Sequence, residues 1–325
     1  MSNAADTLIR VPTASASGPW LIGLLAAVFW SLAASVTLGL PDVHPWATTR
    51  WLGWAQVVLA ISLLGAGMLG VPGRIRRLGP WLVALGLIFT GWQLSVAKLG
   101  LLPRPVFAPP QALLDAYVED WATLLECILH SGRLLLAGVS IGFSLGFVVG
   151  VAIGWSRLAA YWIHPLLRLI GPVPATAWLP IALFVFPGTF EASTFLIALS
   201  SGVPVAVLTW SGVASVNSSY YDIARTLGAS NRFLVLKVAV PAAMPHVFVG
   251  AFMGLTYAFV VLIIAEMLGV KAGLGWYLQW SQGWAAYSNM YAALLIMALL
   301  CSGLIGLLFR VRDHLLAWQK GLLRW

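Results

Sequence analysis

The sequence predicts an all-α, polytopic membrane protein, and three observations predict it. Of 325 residues, 61% are hydrophobic and only 9% are charged, a balance that water-soluble domains do not sustain. Several apolar runs reach the roughly 20 residues that a helix needs to cross a bilayer. The basic residues also fall mostly on one side once those runs are laid out as alternating crossings. The net charge of +8 is therefore read as loop residues on the inner face of a membrane, and no nucleic-acid partner is expected.

Hydropathy places eight crossings near 20–40, 51–71, 80–98, 134–155, 165–187, 192–213, 246–268 and 289–310. With the N-terminus inside, Arg10, Arg74, Arg76, Arg77, Arg157, Arg168, Arg225, Arg232, Lys237, Arg310, Arg312, Lys320 and Arg324 are internal. Arg50, Lys98, Arg104, Arg133 and Lys271 are external. Thirteen of the 18 Lys and Arg residues thus lie inside, and both termini are expected on the cytoplasmic side.

The first run, from Trp20 to Leu40, offers small residues for signal cleavage at Ala33-Ala34-Ser35, but its length favours a retained crossing. After the third run, LLPRPVFAPP at 101–110 is too rich in proline to be helical throughout. Asp115, Glu119 and Asp120 then punctuate apolar residues 113, 114, 117, 118 and 121, the pattern of an interfacial helix. The fourth run carries Gly138, Gly142, Gly146, Gly150 and Gly154 at a strict spacing of four. Small residues in that register let two helices approach closely, with the partner either in the same chain or in a second copy.

The fifth run holds Pro165, Pro172, Pro174, Pro180 and Pro187, which cannot all sit in an unbroken helix. Broken backbone at membrane depth is tolerated against protein or a watery cavity. Pro172, Pro174, Thr176 and Trp178 are accordingly candidate pathway residues, with a kinked structural helix as the plain alternative. Glu266 and Arg133 are the charges inside crossings, both near outer ends. Glu266 reads most simply as a helix-end carboxylate facing water, and it is also a candidate for lining the outer gate. Glu126 and His130 read as a surface i, i+4 pair. Trp276, Trp280 and Trp284 suit the headgroup layer, and the tail RVRDHLLAWQKGLLRW suits the inner membrane surface.

Residues 220–246, YYDIARTLGASNRFLVLKVAVPAAMPH, form the one long polar stretch on the inner side. A short helix from Asp222 to Leu227 should stop at Gly228. Ser230 or Asn231 should cap a second helix that Pro241 and Pro245 end. Leu227, Phe233, Leu234 and Leu236 give the pair apolar faces, which suggests something docks there.

Catalysis finds little support. His44, His130, His164, His246 and His314 are scattered, with no His-Glu-x-x-His pattern. Cys127 and Cys301, the two cysteines, are too few and too far apart for a disulfide framework or a metal site. An ion-coupled secondary transporter is the rival class, but such proteins bury ionisable groups to hold the driving ion.

DIARTLGASNRFLVLKVAVPAAMPHV resembles the signature cytoplasmic loop of permease subunits of binding-protein-dependent ATP-binding-cassette (ABC) importers. In that family the loop reads Glu-Ala-Ala (the EAA motif), three residues, Gly, then a hydrophobic helix ending in Leu-Pro. Asp222, Ile223 and Ala224 stand in the Glu-Ala-Ala positions, and Gly228-Ala229-Ser230 and Val240-Pro241 match in place and spacing. LLPRPVFAPPQALLDAY, GFSLGFVVGVAIGWSR, GPVPATAWLPIALFVFPG and AEMLGVKAGLGWYLQW narrow the resemblance to the nitrate, sulfonate, taurine and bicarbonate branch. Pro187 departs from the aromatic-Gly usual there.

The resemblance implies a type I (MetI-like) importer permease core over 79–325, preceded by an extension, 1–78, with two additional crossings. It implies that 220–241 is a coupling helix, with Asp222, Ala224, Arg225, Leu227, Gly228, Ala229, Ser230 and Pro241 meeting an ATPase. The implied partners are two ABC ATPase subunits, a second copy of the permease, membrane lipid, and a periplasmic or lipid-anchored substrate-binding protein. The chain carries no Gly-x-x-x-x-Gly-Lys-[Ser/Thr] loop, so the resemblance places ATP and Mg on the separate ATPase and no cofactor on this chain. Implied substrates are small oxyanions, with aromatic carboxylates or thiamine-precursor-like compounds left open.

Overall fold

The computed structural model describes residues 20–69, 73–102 and 105–319. Arg10, Arg104, Lys320, Arg324 and the end of the basic tail lie outside the described residues. The chain divides after Glu119 into two compact units.

In the first unit, α1 (Leu21–Gly39), α2 (Thr49–Leu69) and α3 (Gly79–Trp92) are crossing helices, and α3 ends in a π turn, Gln93–Lys98. Glycines set their directions. Gly53 faces Leu38 and Gly67 faces Leu24, so α1 and α2 run antiparallel. Gly79 faces Ile22 and Gly86 faces Phe29 and Trp30, so α3 runs beside α1 in the same sense. Trp30 Nε1 donates to the Leu82 carbonyl at 3.0 Å. The third crossing, grouped by sequence with the core, thus packs on the extension helices. Complementary small and large residues on α1 and α3 decide this, and hydropathy does not register them.

Lys98 closes this unit. Its Nζ donates to the Thr37 and Leu40 carbonyls at 2.7 and 2.6 Å and pairs with Asp42 Oδ1 at 2.8 Å. All three ammonium donors are met, the condition for burying a lysine at tolerable cost. Asp42 Oδ2 accepts from the Thr49 hydroxyl at 2.7 Å. The sequence had placed Lys98 among external loop residues. The helix α4 (Pro110–Glu119) follows, where the interfacial segment was expected.

The second unit begins with α5 (Trp121–Trp155), 35 residues and so about 52 Å long. It starts well before the expected 134, because Glu126 and His130 lower hydropathy without breaking the helix. The fifth crossing is broken: α6 (Arg157–Ile170) and the stretch Ala175–Val185, which contains α7 (Leu179–Val185), meet at 90°. α8 (Thr189–Ala214) follows, then the short α9 (Ser218–Thr226). α10 (Asn231–Gly269) is one continuous span containing a π turn at Leu234–Ala239. α11 (Leu274–Gly283) and α12 (Tyr287–Leu315) complete the unit.

The glycine stripe of α5 lies against α8 of the same chain. Gly138 meets Ile197, Gly142 meets Ala198, Gly146 meets Gly202, Gly150 meets Thr209 and Gly154 meets Val213. Both series rise together, so α5 and α8 are parallel and the chain must return between them. It does so through the broken pair: His164 stacks edge-on against Trp210 at 4.5 Å, and Phe186 packs against Phe195 at 5.1 Å. Residues 164–186 therefore climb from one end of α8 to the other. Gly250 against Val205 and Gly254 against Ser201 set α10 antiparallel to α8. Among the described residues seven helices are individually long and apolar enough to cross, and the broken pair, taken as one span, makes an eighth.

One expectation is corrected. Pro241 and Pro245 do not end the second helix of the polar stretch, and both lie within α10. The π turn before Pro241 shifts bonding to five residues, with Val240 N–H reaching the Val235 carbonyl. That wider turn removes the clash a proline ring makes with the carbonyl four residues back.

Candidate functional site

The polar stretch folds as a rigid hairpin. Asn217 Oδ1 accepts from Ser219 N–H at 3.0 Å and caps α9. Gly228, at φ +81°, ends α9 in a left-handed conformation that favours glycine. Its N–H donates to the Arg225 carbonyl at 2.9 Å, and Ala229 N–H donates to that of Ala224 at 3.0 Å. These two bonds are the Schellman closure of a helix C-terminus. Ser230 Oγ then accepts from Phe233 N–H at 3.4 Å and opens α10.

The hairpin is anchored on one side and bare on the other. Ala239 packs with Val213 and Ala243, with Tyr221 and Trp155 against them, and the last two rings stand 5.7 Å apart. Burial raises the Tyr221 phenol above its ordinary value and keeps it neutral. Leu227 is 83% exposed, and Tyr220, Ile223, Phe233 and Leu236 are exposed as well. Asp222 and Arg225 pair at 3.8 Å in water, which contributes little to stability. Ala224, Ala229 and Pro241 are half-buried or exposed around this ridge.

The broken crossing makes the second feature. Gly171, Pro172, Val173 and Pro174 are exposed, and Ala175–Trp178 is a 3₁₀ turn. A groove of about 510 Å³ runs along them, taking in Pro172, Pro174 and Thr176 from the break, Ser200 from α8 and Tyr257 from α10. Its surface is apolar with three hydroxyls, and no charged side chain lines it. Trp178 turns the other way, packing against the core of α5, α8 and α10. It and Glu266 are not among the residues that form this groove.

Glu266 is the larger correction. It is 0% exposed, not a water-facing helix end. Its Oε1 accepts from the Ser131 hydroxyl at 2.7 Å and its Oε2 from Gly275 N–H at 2.9 Å. Ser131 Oγ in turn accepts from Leu274 N–H at 2.9 Å. His130 Nδ1 lies 3.9 Å away, so His130 faces Glu266 instead of pairing on the surface with Glu126. Gly273, at φ +116°, fits where any β-carbon would strike the carboxylate.

The first turn of α11 is also held by a second cluster. Tyr277 Oη donates to Asp120 Oδ2 at 2.6 Å, and Asn289 Nδ2 donates to both, at 2.6 Å to the carboxylate and 2.8 Å to the phenol. Burial raises the Tyr277 phenol above its ordinary value, so it remains a donor. These two clusters clamp α11 across α5, α10 and α12. Ser131, Asp120, Tyr277 and Asn289 escaped sequence reasoning because each partner pair is far apart in the chain. The nearest local signal was Glu266 followed by Gly273-x-Gly275.

Among the described residues no group of three His, Cys, Asp or Glu side chains is placed to hold a metal ion. What the geometry defines is a helical membrane protein with a broken crossing beside a groove and a capped hairpin that leaves an apolar ridge exposed. Residues 142–318 match the family described as binding-protein-dependent transport system inner membrane component. The chain belongs to that family, and is a permease of the ABC importer class.

Relatives and solved structures agree. The nitrate import permease of Synechococcus elongatus is 28% identical, covering 75% of this chain and 89% of its own. A probable ABC transporter permease of Brucella abortus is 30% identical, covering 76% and 98%. The bicarbonate transport system permease of Synechococcus elongatus is 32% identical over 58% of this chain and 65% of that one. An inward-facing structure of the MetNI methionine ABC transporter superposes with a TM-score of 0.53 at 16% identity, covering 61% of this chain and 98% of that one.

Proposed function

We propose that this chain forms the membrane pathway of an ATP-driven importer for a small oxyanion of the nitrate or bicarbonate kind. Two copies act together with two separate ATPase subunits, which hold ATP and Mg, and a soluble or lipid-anchored binding protein delivers substrate outside. Both termini face the cytoplasm. The observation that carries this reading is the capped hairpin at 218–240 with Leu227 bare at its tip.

A docking element that transmits force must be stiff. Two caps and the Schellman closure leave the tip little freedom, and the π turn joins it without a break to α10, which packs on α8. A displacement of Leu227 is therefore conveyed to the helices beside the groove. ATP binding on the partner draws the two hairpins together, and hydrolysis releases them.

The groove supports the substrate assignment through what it offers. Thr176 and Tyr257 present neutral hydroxyls, while that of Ser200 already donates to the Ile197 carbonyl, and two such donors are enough to pass a planar monoanion without trapping it. Selectivity then resides in the binding protein. Leu227→Asp tests the docking role: the variant should insert normally yet copurify with several-fold less ATPase. Full retention of ATPase, with normal nitrate or bicarbonate uptake, would sink the reading.

A further inference from the structure

α12 is poorly supported by its own chain. Only Ala292, Ala293 and Met297 are buried, all in its first half. Beyond them Cys301, Leu304, Ile305 and Leu308 pack on the core only partly buried, and beside Met297 and Leu304 an apolar crevice of about 500 Å³ opens between α12, α5 and α10. Leu129, Leu136 and Val139 of α5, Phe259 and Leu262 of α10, and Leu304 of α12 form its walls. Along α5 it reaches from Ile128 to Val139, about 16 Å at 1.5 Å per residue and close to half of a hydrocarbon core about 30 Å thick.

Two charged residues border the crevice, Arg133 and Glu266. Glu266 is committed to Ser131 and Gly275. Arg133 is exposed and, among the described residues, has neither an ion-pair nor a hydrogen-bond partner. A guanidinium on a membrane helix needs an anion or water at the interface, and a phosphodiester matches its planar fork. An apolar crevice open to a bilayer has acyl chains as its only abundant filling.

We propose that this crevice binds one phospholipid, with an acyl chain seated between α5, α10 and α12 and its phosphate held by Arg133. The lipid serves as the missing wall of the α12 packing. Its assignment to the outer leaflet rests on the orientation proposed above, but the site itself does not.

The test is native mass spectrometry of the full-length chain, released from mild detergent after washing, with organic phosphate measured in parallel. Wild type should retain one phospholipid per chain. Arg133→Ala and Leu304→Trp should each cut that occupancy at least five-fold, the first by removing the anchor and the second by filling the crevice. Arg133→Lys should keep most of it. A photo-crosslinker at Leu136 should label phospholipid. Equal occupancy in all variants, no retained lipid in wild type, or crosslinking to a second copy of the chain would overturn the proposal. None of these readouts needs ATPase or substrate, so failure of the import assignment leaves them independent.

Discussion

Replacing Ser131 with alanine removes a single hydroxyl that serves two bonds in the α11 clamp. It takes a donor from Glu266 Oε1 and an acceptor from Leu274 N–H, and both of those groups are buried. An orphaned buried polar group costs about 1–3 kcal/mol, and the carboxylate bond lies toward the upper end. The variant should therefore lose about 2–4 kcal/mol. For a unit of this size, a shift of about 2–4 °C per kcal/mol lowers the melting midpoint by roughly 5–15 °C. Thermal unfolding of the purified chain in detergent, followed by tryptophan fluorescence, measures this, with exposed Ser140→Ala as the control. Glu266→Gln should fall less than Glu266→Ala, since the amide fills the same volume and its oxygen still accepts. A Ser131→Ala midpoint within about 1 °C of wild type would refute the claim that the clamp holds α11 in place.

Three further outcomes follow from the packing. Gly146→Leu drives a side chain into the Gly202 carbonyl and should abolish monodisperse protein on size exclusion, whereas Gly303→Leu, with open space beside it, should be tolerated. Gly228→Val forces a β-branched residue to φ +81°, a strain of about 1–2 kcal/mol. Uptake should drop several-fold while membrane-fraction abundance stays normal. Lys98→Met leaves Asp42 without its cation in a buried site, a loss of about 3–5 kcal/mol. Hydrogen exchange in the 40–48 loop should rise sharply, and adding Asp42→Asn should reverse part of the effect.

The hairpin was legible almost residue by residue, because its determinants are local. A glycine where the chain turns left-handed and a serine three residues before an N–H each act within five positions, whereas the first helix begins at Ser218 behind an Asn217 cap, four residues before the expected Asp222. The hairpin's C-terminal boundary was misread for a related reason. Proline marks helix ends on average, yet a π turn precedes Pro241 and the helix runs on through Pro245. Glu266 was misread more seriously. Position near a helix end suggests water, but burial depends on Ser131, 135 residues earlier, and on the fold of the loop that follows.

By itself the sequence determined the membrane class, the crossing helices, the break in the fifth and the capped turn of the polar hairpin, because hydropathy, proline and capping chemistry are short-range. The glycine period announced a close-packed face, but only the tertiary structure identified α8 as its partner and showed the two helices to be parallel. That parallel register is what compels the broken segment to return across the membrane. Lys98 and Glu266 likewise owe their burial to distant partners, since a charged group leaves water only when atoms from elsewhere in the fold meet its hydrogen bonds.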